Sequence, residues 1–306
     1  MRLPLSGTLM KIVHINNTAG VASVLARQQN NMGHTAEVFV FNSATQKQFG
    51  GKKFNYRWPL SQWNFFKKIK EFDLWHYHYP YGSLKKNLEM RRNHKQFLKH
   101  YHGDDLRGRV DTDFCLVSTP DLLKYAPNGK WLPNPIDFEG INSILTKISY
   151  ENKNAKVLYY PKVYESNIHS RELDLKQSVL VDLEANRKLV LIPIIDIPYK
   201  KALDEIAGCD IVVGKILPVM GWIGRLELEA MALGKPVIAY VSEELYEKYK
   251  PPVFRTSENS FRSDLEYLLE DTNTRNKLVK LGLDYVKENH SVHNVCNLLD
   301  KYYSSI

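Results

Sequence analysis

Gly221-Trp222-Ile223-Gly224-Arg225-Leu226-Glu227-Leu228-Glu229-Ala230-Met231-Ala232-Leu233-Gly234-Lys235-Pro236-Val237-Ile238 is the most informative stretch of the chain. Gly221 and Gly224 let the backbone come close to a ligand. A helix is predicted from Leu226 to Leu233, and Pro236 to Tyr240 then reads as a strand. The unpaired amides and dipole at such a helix start suit a diphosphate. Glu229 lies one or two turns into the helix, where a carboxylate suits a hydroxyl-rich group such as ribose better than phosphate. Read from these residues alone, the stretch is either a phosphate-binding turn or a glycine-punctuated strand, loop and helix with surface glutamates. Glu227 and Glu229 are two apart and cannot share a helix face, so one of them is expected in solvent.

Upstream, Lys156 to Pro161, Leu189 to Ile195 and Asp210 to Gly214 read as strands, the second apolar enough for burial on both faces. Ala202 to Ala207 reads as a short helix, and Ser260 to Tyr303 as a helical tail with a gap near Asn289-His290-Ser291. The first half carries its own α/β pattern. Lys11 to Ile15 is a predicted strand, Asn16 to Gly20 a turn, Val21 to Met32 a helix ended by Gly33, and Thr35 to Phe41 a strand. Strands follow at Phe72 to His78, Phe97 to His102 and Phe114 to Ser118, with a helix starting at Thr119-Pro120-Asp121. The prolines of Leu132-Pro133-Asn134-Pro135 end the pattern, so a linker is expected near 138–153. Two successive α/β units imply two doubly wound parallel sheets with a ligand outside the carboxyl ends of the strands.

Bulk properties narrow the class. The 306 residues suffice for two domains, with 43% hydrophobic and 25% charged residues. No apolar run is long enough to span a membrane, and the first residues lack the pattern of a signal peptide. Cys115, Cys209 and Cys296 are odd in number and far apart, which argues for buried free thiols in a reducing, cytoplasmic setting. The net charge of +8 favours anionic partners. Lys52, Lys53, Arg57, Lys67, Lys68, Lys70, Lys85, Lys86, Arg91, Arg92 and Lys95 are interleaved with Tyr56, Trp58, Trp63, Phe65, Phe66 and Tyr81. This reads either as a solvated lysine-rich surface or as a basic-aromatic patch for an anionic membrane or acidic acceptor. No nucleic-acid-binding module is visible, so nucleic acid is not an expected partner.

Several segments together resemble the large retaining glycosyltransferase family 4. Leu228 to Ile238 is similar to its signature, and Lys11 to His34 to its first strand, glycine turn and helix. Tyr101-His102-Gly103-Asp104-Asp105-Leu106-Arg107 looks like its His-Gly-Ser/Asp-Asp-Leu-Arg segment. Val117 to Leu122, Leu132 to Asp137, Asp210 to Val213 and Tyr285 to Ser291 also fit in order. The resemblance implies a GT-B fold: two facing Rossmann-like domains, 1–145 and 146–306, with an interdomain cleft and a C-terminal helix free to pack back on the first domain. It implies transfer of a hexose from a nucleotide-sugar such as a UDP- or GDP-hexose to a glycan or lipid-linked acceptor. Retention without metal or cofactor is implied; the cysteines point to the cytoplasm, and the basic patch allows a peripheral place at the inner face of a membrane.

The implied roles are positional. His102, Lys162 and Asp104 would be catalytic; Gly20, Gly221, Trp222, Ile223, Gly224, Glu229 and Arg171 would bind the donor; His78 and Arg107 would face the acceptor. Two positions depart from the family: Gly221 stands where it usually has glutamate, and Asn167 where it has a phosphate-clamping lysine. Lys162, Lys215 or Arg225 would have to supply the missing cation; otherwise the chain is a degenerate, catalytically weak relative acting as a scaffold or partner subunit. His76 and His78 share one strand face, but a metal site would need a third ligand, for which His102 and Asp104 are the candidates. No metal is expected.

Overall fold

The computed structural model describes residues 9–80, 82–91, 95–145, 154–161, 167–186 and 188–306. Its strands are β1 (Lys11–Ile15), β2 (Thr35–Val40), β3 (Lys52–Lys53), β4 (Leu74–His78), β5 (Gln96–Tyr101), β6 (Cys115–Val117), β7 (Lys130–Trp131), β8 (Ala155–Tyr159), β9 (Leu189–Pro193), β10 (Ile211–Val213), β11 (Val237–Ala239) and β12 (Phe254–Arg255). Its helices are α1 (Val21–Asn31), α2 (Ser43–Phe49), α3 (Pro59–Ile69), α4 (Gly82–Arg91), α5 (Phe138–Leu145), α6 (Asn167–Ala185), α7 (Tyr199–Gly208), α8 (Arg225–Ala232), α9 (Glu243–Tyr249), α10 (Phe261–Glu270), α11 (Thr272–Asn289) and α12 (Val292–Tyr303). The chain divides into two units. One runs to Pro135 and takes in Val292–Ile306; the other is Ile136–Ser291.

Each unit is built on one sheet. The first has the order β3-β2-β1-β4-β5-β6-β7 and the second β12-β11-β10-β8-β9. Every pairing is parallel. Parallel neighbours need crossovers rather than tight turns, which is what the alternation of strand and helix supplies.

In the first unit, strand alternation sorts the core into two layers. Ile12, Leu74 and Leu98 face α1 and α12, meeting Ala22, Leu25, Val295, Cys296 and Leu299. Val13, Ile15, Phe39, Trp75 and Tyr77 face the other way, onto Phe65, Phe66 and Ile69 of α3 and Leu88 of α4. Covered on both sides, β4 is buried at all five positions. In the second unit, Val157, Ile211, Val213 and Ile238 pack with Leu180, Leu183, Phe261, Leu265 and Leu268. All three cysteines are free and buried.

Several local expectations are revised. The stretch expected as linker is helical over α5, and 146–153 lie outside the described residues. The segment from Leu189 is an edge strand, buried only at Leu189, and Pro193 ends it where no neighbour needs its amide. The turn after Thr119 is a 3-10 helix, Pro120–Tyr125. The tail breaks twice, because Asp271 caps α11 by accepting from the amides of Asn273 and Thr274.

Leu299, fully buried on α12, ties the end of the chain to the first sheet. Leu299→Ala should cost about 3 kcal/mol and lower the urea midpoint, while Leu299→Met should stay close to wild type.

Candidate active site

The α1-facing side of the first sheet carries a column of five histidines. His14 of β1 is in register with His76 of β4, and His78 with His100 of β5. His102 follows just beyond β5. Alternation puts His76 and His78 on one face of β4, and the register sets His14 and His100 beside them, at the carboxyl ends of the central strands. His76 stacks on His78 with ring centroids 4.3 Å apart, and His100 lies 4.3 Å from His102. His14, His76, His78 and His100 are buried; His102 is half-buried.

Two rows of hydrogen bonds run through this column. Gln29 Oε1 accepts from His14 Nε2 at 2.7 Å, which makes His14 Nδ1 the acceptor of its 2.9 Å bond with His78 Nε2. His78 Nδ1 then faces His102 Nε2 at 3.1 Å. In the second row, Tyr303 Oη lies 2.8 Å from His76 Nδ1, and His76 Nε2 lies 3.2 Å from His100 Nδ1. Gln29 Nε2 donates to Tyr303 at 3.2 Å, joining the rows. His100 Nε2 is buried without a partner. Burial keeps these rings neutral: it pushes His14 down to about 4, and burial plus the neighbouring imidazoles hold His76, His78 and His100 well below the usual range.

The turn after β5 is held by Asp105. Its carboxylate accepts from the backbone amides of His102 at 2.9 and 3.1 Å and of Gly103 at 2.7 Å. Burial raises the Asp105 carboxyl to about 6 despite those two bonds. Asp104 is the exposed member of the pair. Arg107 reaches it at 3.3 Å and the buried Asp121 at 2.8 Å, so its guanidinium is engaged within the fold. His78 is likewise enclosed and acts on its surroundings through His102.

The second unit builds its site on the loop from Gly214 to Gly224 and the start of α8. Trp222 and Ile223 are buried and anchor the loop, with Trp222 edge-on to Tyr249 at 5.6 Å. Gly221 has φ +66°, and its carbonyl accepts from the Ser242 amide at 3.0 Å. Glu227 closes the loop onto the helix. Its Oε1 accepts from the Lys215 amide at 2.8 Å and its Oε2 from the Gly224 amide at 3.0 Å. Gly214 must lack a side chain here, since a Cβ would lie 2.6 Å from Glu227 Cγ.

Glu229 is buried too, so neither glutamate is solvated: Glu227 serves backbone amides and Glu229 a buried cation. Glu229 Oε1 accepts from Arg225 Nε and from the Tyr199 hydroxyl, both at 2.6 Å. Arg225 Nη2 donates to the Tyr199 oxygen at 2.9 Å, closing a triangle. Burial opposes the Arg225 charge, but the charges and hydrogen bonds of Glu229 and Tyr199 together outweigh it and the net shift is upward. Arg225 Nη1 remains buried without a partner. Lys215 Nζ lies against Gly224, 2.7 Å from where a Cβ would stand, and makes no ion pair among the described residues.

At Gly20, φ is +77° and the place of a Cβ is filled by the Phe49 ring at 2.7 Å. Lys162 lies outside the described residues; Arg171 falls within α6, where its side chain is not described.

Neither a protein-family model nor a curated protein matches the chain. Solved structures do resemble it. HepE from Anabaena, in complex with UDP-glucose, gives a TM-score of 0.67 at 14% identity, over 97% of this chain and 100% of that one. The fold is GT-B. Sucrose-phosphate synthase from Thermosynechococcus elongatus gives 0.63 at 13% identity, over 97% and 98%. UDP-GlcNAc 2-epimerase from Neisseria meningitidis, bound to UDP-GlcNAc, gives 0.62 at 10% identity, over 97% and 100%.

Glu227→Ala would leave two backbone donors of the GT-B second unit without an acceptor. A loss of about 3 kcal/mol in denaturant unfolding is expected, with Glu227→Gln intermediate.

Proposed function

We propose that this chain is a glycosyltransferase that binds a nucleotide-sugar and moves its hexose to a glycan or lipid-linked acceptor, with retention and without a catalytic metal. One observation carries the reading: Lys215 Nζ, which makes no ion pair among the described residues, and the unpaired Nη1 of the Glu229-bound Arg225 stand at the start of α8. The first-turn amides of a helix have no partners within it, so this end of α8 adds dipole and N–H groups to both cations. A diphosphate is the ligand such a site fits. The Arg225 and Tyr199 bonds fix one oxygen of Glu229; the other makes no bond among the described residues, which leaves it to accept ribose hydroxyls.

The chemistry then rests on charge. As the glycosidic bond lengthens, negative charge grows on the departing diphosphate. Lys215, the unpaired Nη1 of Arg225 and the α8 amides are the groups that would take up that charge. They also supply the cation missing at Asn167. The family resemblance adds His102 beside the donor sugar, with Asp104 nearby, and Lys162 and Arg171 on the diphosphate. HepE was crystallised with UDP-glucose, which makes a UDP-hexose the first donor to test.

A second observation bears on the acceptor. Trp58, Leu60 and Trp63, at the start of α3, are 67%, 75% and 57% exposed. Phe65 and Phe66 of the same helix turn into the core. Lys67 Nζ sits 5.1 Å from the Trp63 ring, and Arg57, Lys68 and Lys70 flank it. Exposed indoles beside cations suit the headgroup layer of an anionic membrane. No helix among the described residues is long and apolar enough to cross a bilayer, so such contact would be peripheral.

Calorimetric titration with UDP, followed by turnover of UDP-hexoses, tests the reading. Lys215→Ala should weaken UDP at least tenfold while leaving the unfolding midpoint unchanged; unaltered affinity would remove the cation from the site. Isomerised nucleotide-sugar without hydrolysis or transfer would assign an epimerase instead. Replacing Trp58 and Trp63 by serine should abolish sedimentation with vesicles rich in anionic phospholipid; sedimentation equal to wild type would reject the membrane contact.

A further inference from the structure

The transfer chemistry leaves most of the histidine column unexplained. Four buried imidazoles and a fifth at the edge are far more than a core needs, because each buried ring nitrogen must find a partner. One does not: His100 is 1% exposed and its Nε2 has no partner.

One nitrogen from each of His78, His100 and His102 lies within 4.8 Å of the other two. Three nitrogens bound to one tetrahedral ion at 2.0–2.1 Å would be about 3.3 Å apart. His78 Nδ1 and His102 Nε2 are 3.1 Å apart already, and the 4.8 Å limit on the other pairs leaves at most about 1.5 Å for side-chain adjustment to close.

The surrounding bonds have the form of a metal site's supporting shell. His14, fixed by Gln29, holds His78 by Nε2 and leaves its Nδ1 as a lone pair toward His102. His76, fixed by Tyr303, holds His100 by Nδ1 and leaves Nε2 over. Coordination requires His100 and His102 to carry their proton on Nδ1, where His76 Nε2 can accept that of His100. Each ring stays neutral, so no proton is released. A second trio, His14, His76 and His78, also meets the distance limit. Both nitrogens of His14 and of His76 are already bonded there, and all three rings are buried. His102 is only half-buried and gives the outer trio a route for the ion and a fourth, open position.

We propose that His78, His100 and His102 bind one divalent transition-metal ion through three imidazole nitrogens. Three nitrogen ligands and no carboxylate select zinc, cobalt, nickel or copper and exclude magnesium and calcium as preferred ions. The proposal is independent of the glycosyl-transfer reading, because binding is measured without substrate.

Chelator-treated protein titrated with Co²⁺ should take up one ion per chain. The intense visible d–d bands of a four-coordinate site should appear and be bleached by Zn²⁺ but not by Mg²⁺. His100→Phe, which keeps the ring and removes both nitrogens, should weaken Co²⁺ about a hundredfold or more, while His14→Phe should retain the bands. No uptake, octahedral spectra alone, or loss in His14→Phe with retention in His100→Phe would overturn the assignment. Should His100→Phe fail to fold, anomalous diffraction from Zn²⁺-soaked wild-type crystals decides. A peak among the three rings supports the site; a peak elsewhere, or none, rejects it.

Discussion

A carboxylate buried at the third position of a helix must be fully paired, and Glu227 is paired by the loop that leads into that helix. Its two oxygens take the amides of Lys215 and Gly224, which lie nine residues apart, and so pin both ends of the segment to α8. Everything else in the second unit's site follows from that closure. Gly214 has to be glycine because the Glu227 side chain occupies the space of its Cβ. Lys215 is held where its ammonium reaches Gly224. Trp222 and Ile223 turn inward, so the loop offers backbone rather than side chains. Arg225, next in the chain, engages Glu229 and Tyr199 and leaves its Nη1 without a partner.

The first unit uses the same economy with imidazoles in place of carboxylates. A parallel sheet aligns its strands by register, and the register here stacks histidines from β1, β4 and the end of β5 on one face. Gln29 from α1 and Tyr303 from α12 set the inner ends of the two rows. The last helix thus does more than fill the core: the Tyr303 hydroxyl fixes His76, and His76 fixes His100.

How much of this the sequence discloses depends on the range of the interaction. The two α/β units and the glycine-flanked α8 are legible, because strand and helix periods are local. The His76–His78 pair is legible as two residues on one strand face. The contributions of His14 and His100 are not, because they need the β1–β4 and β4–β5 registers, which tertiary packing sets. Glu227 is legible as an acidic residue in the first turn of a helix, where its carboxylate can reach back to the amide of the capping residue. Helical spacing alone misplaced one glutamate in solvent, because it ignores the loop that folds over the helix. Lys215 follows a strand end and looks like an ordinary surface lysine until Gly224 is brought beside it. The aromatic run of α3 also divides only in three dimensions, with Phe65 and Phe66 inward and Trp58 and Trp63 outward.

The central claim is that the start of α8, with Lys215 and Arg225, is a diphosphate site. A crystal structure of the protein grown with UDP tests it most directly. The account requires phosphate oxygens within hydrogen-bond distance of the α8 first-turn amides and of Lys215 Nζ, and the ribose on Glu229. Nucleotide bound elsewhere, with Glu229 still turned wholly to Arg225 and Tyr199 and no phosphate at Gly224, would contradict it.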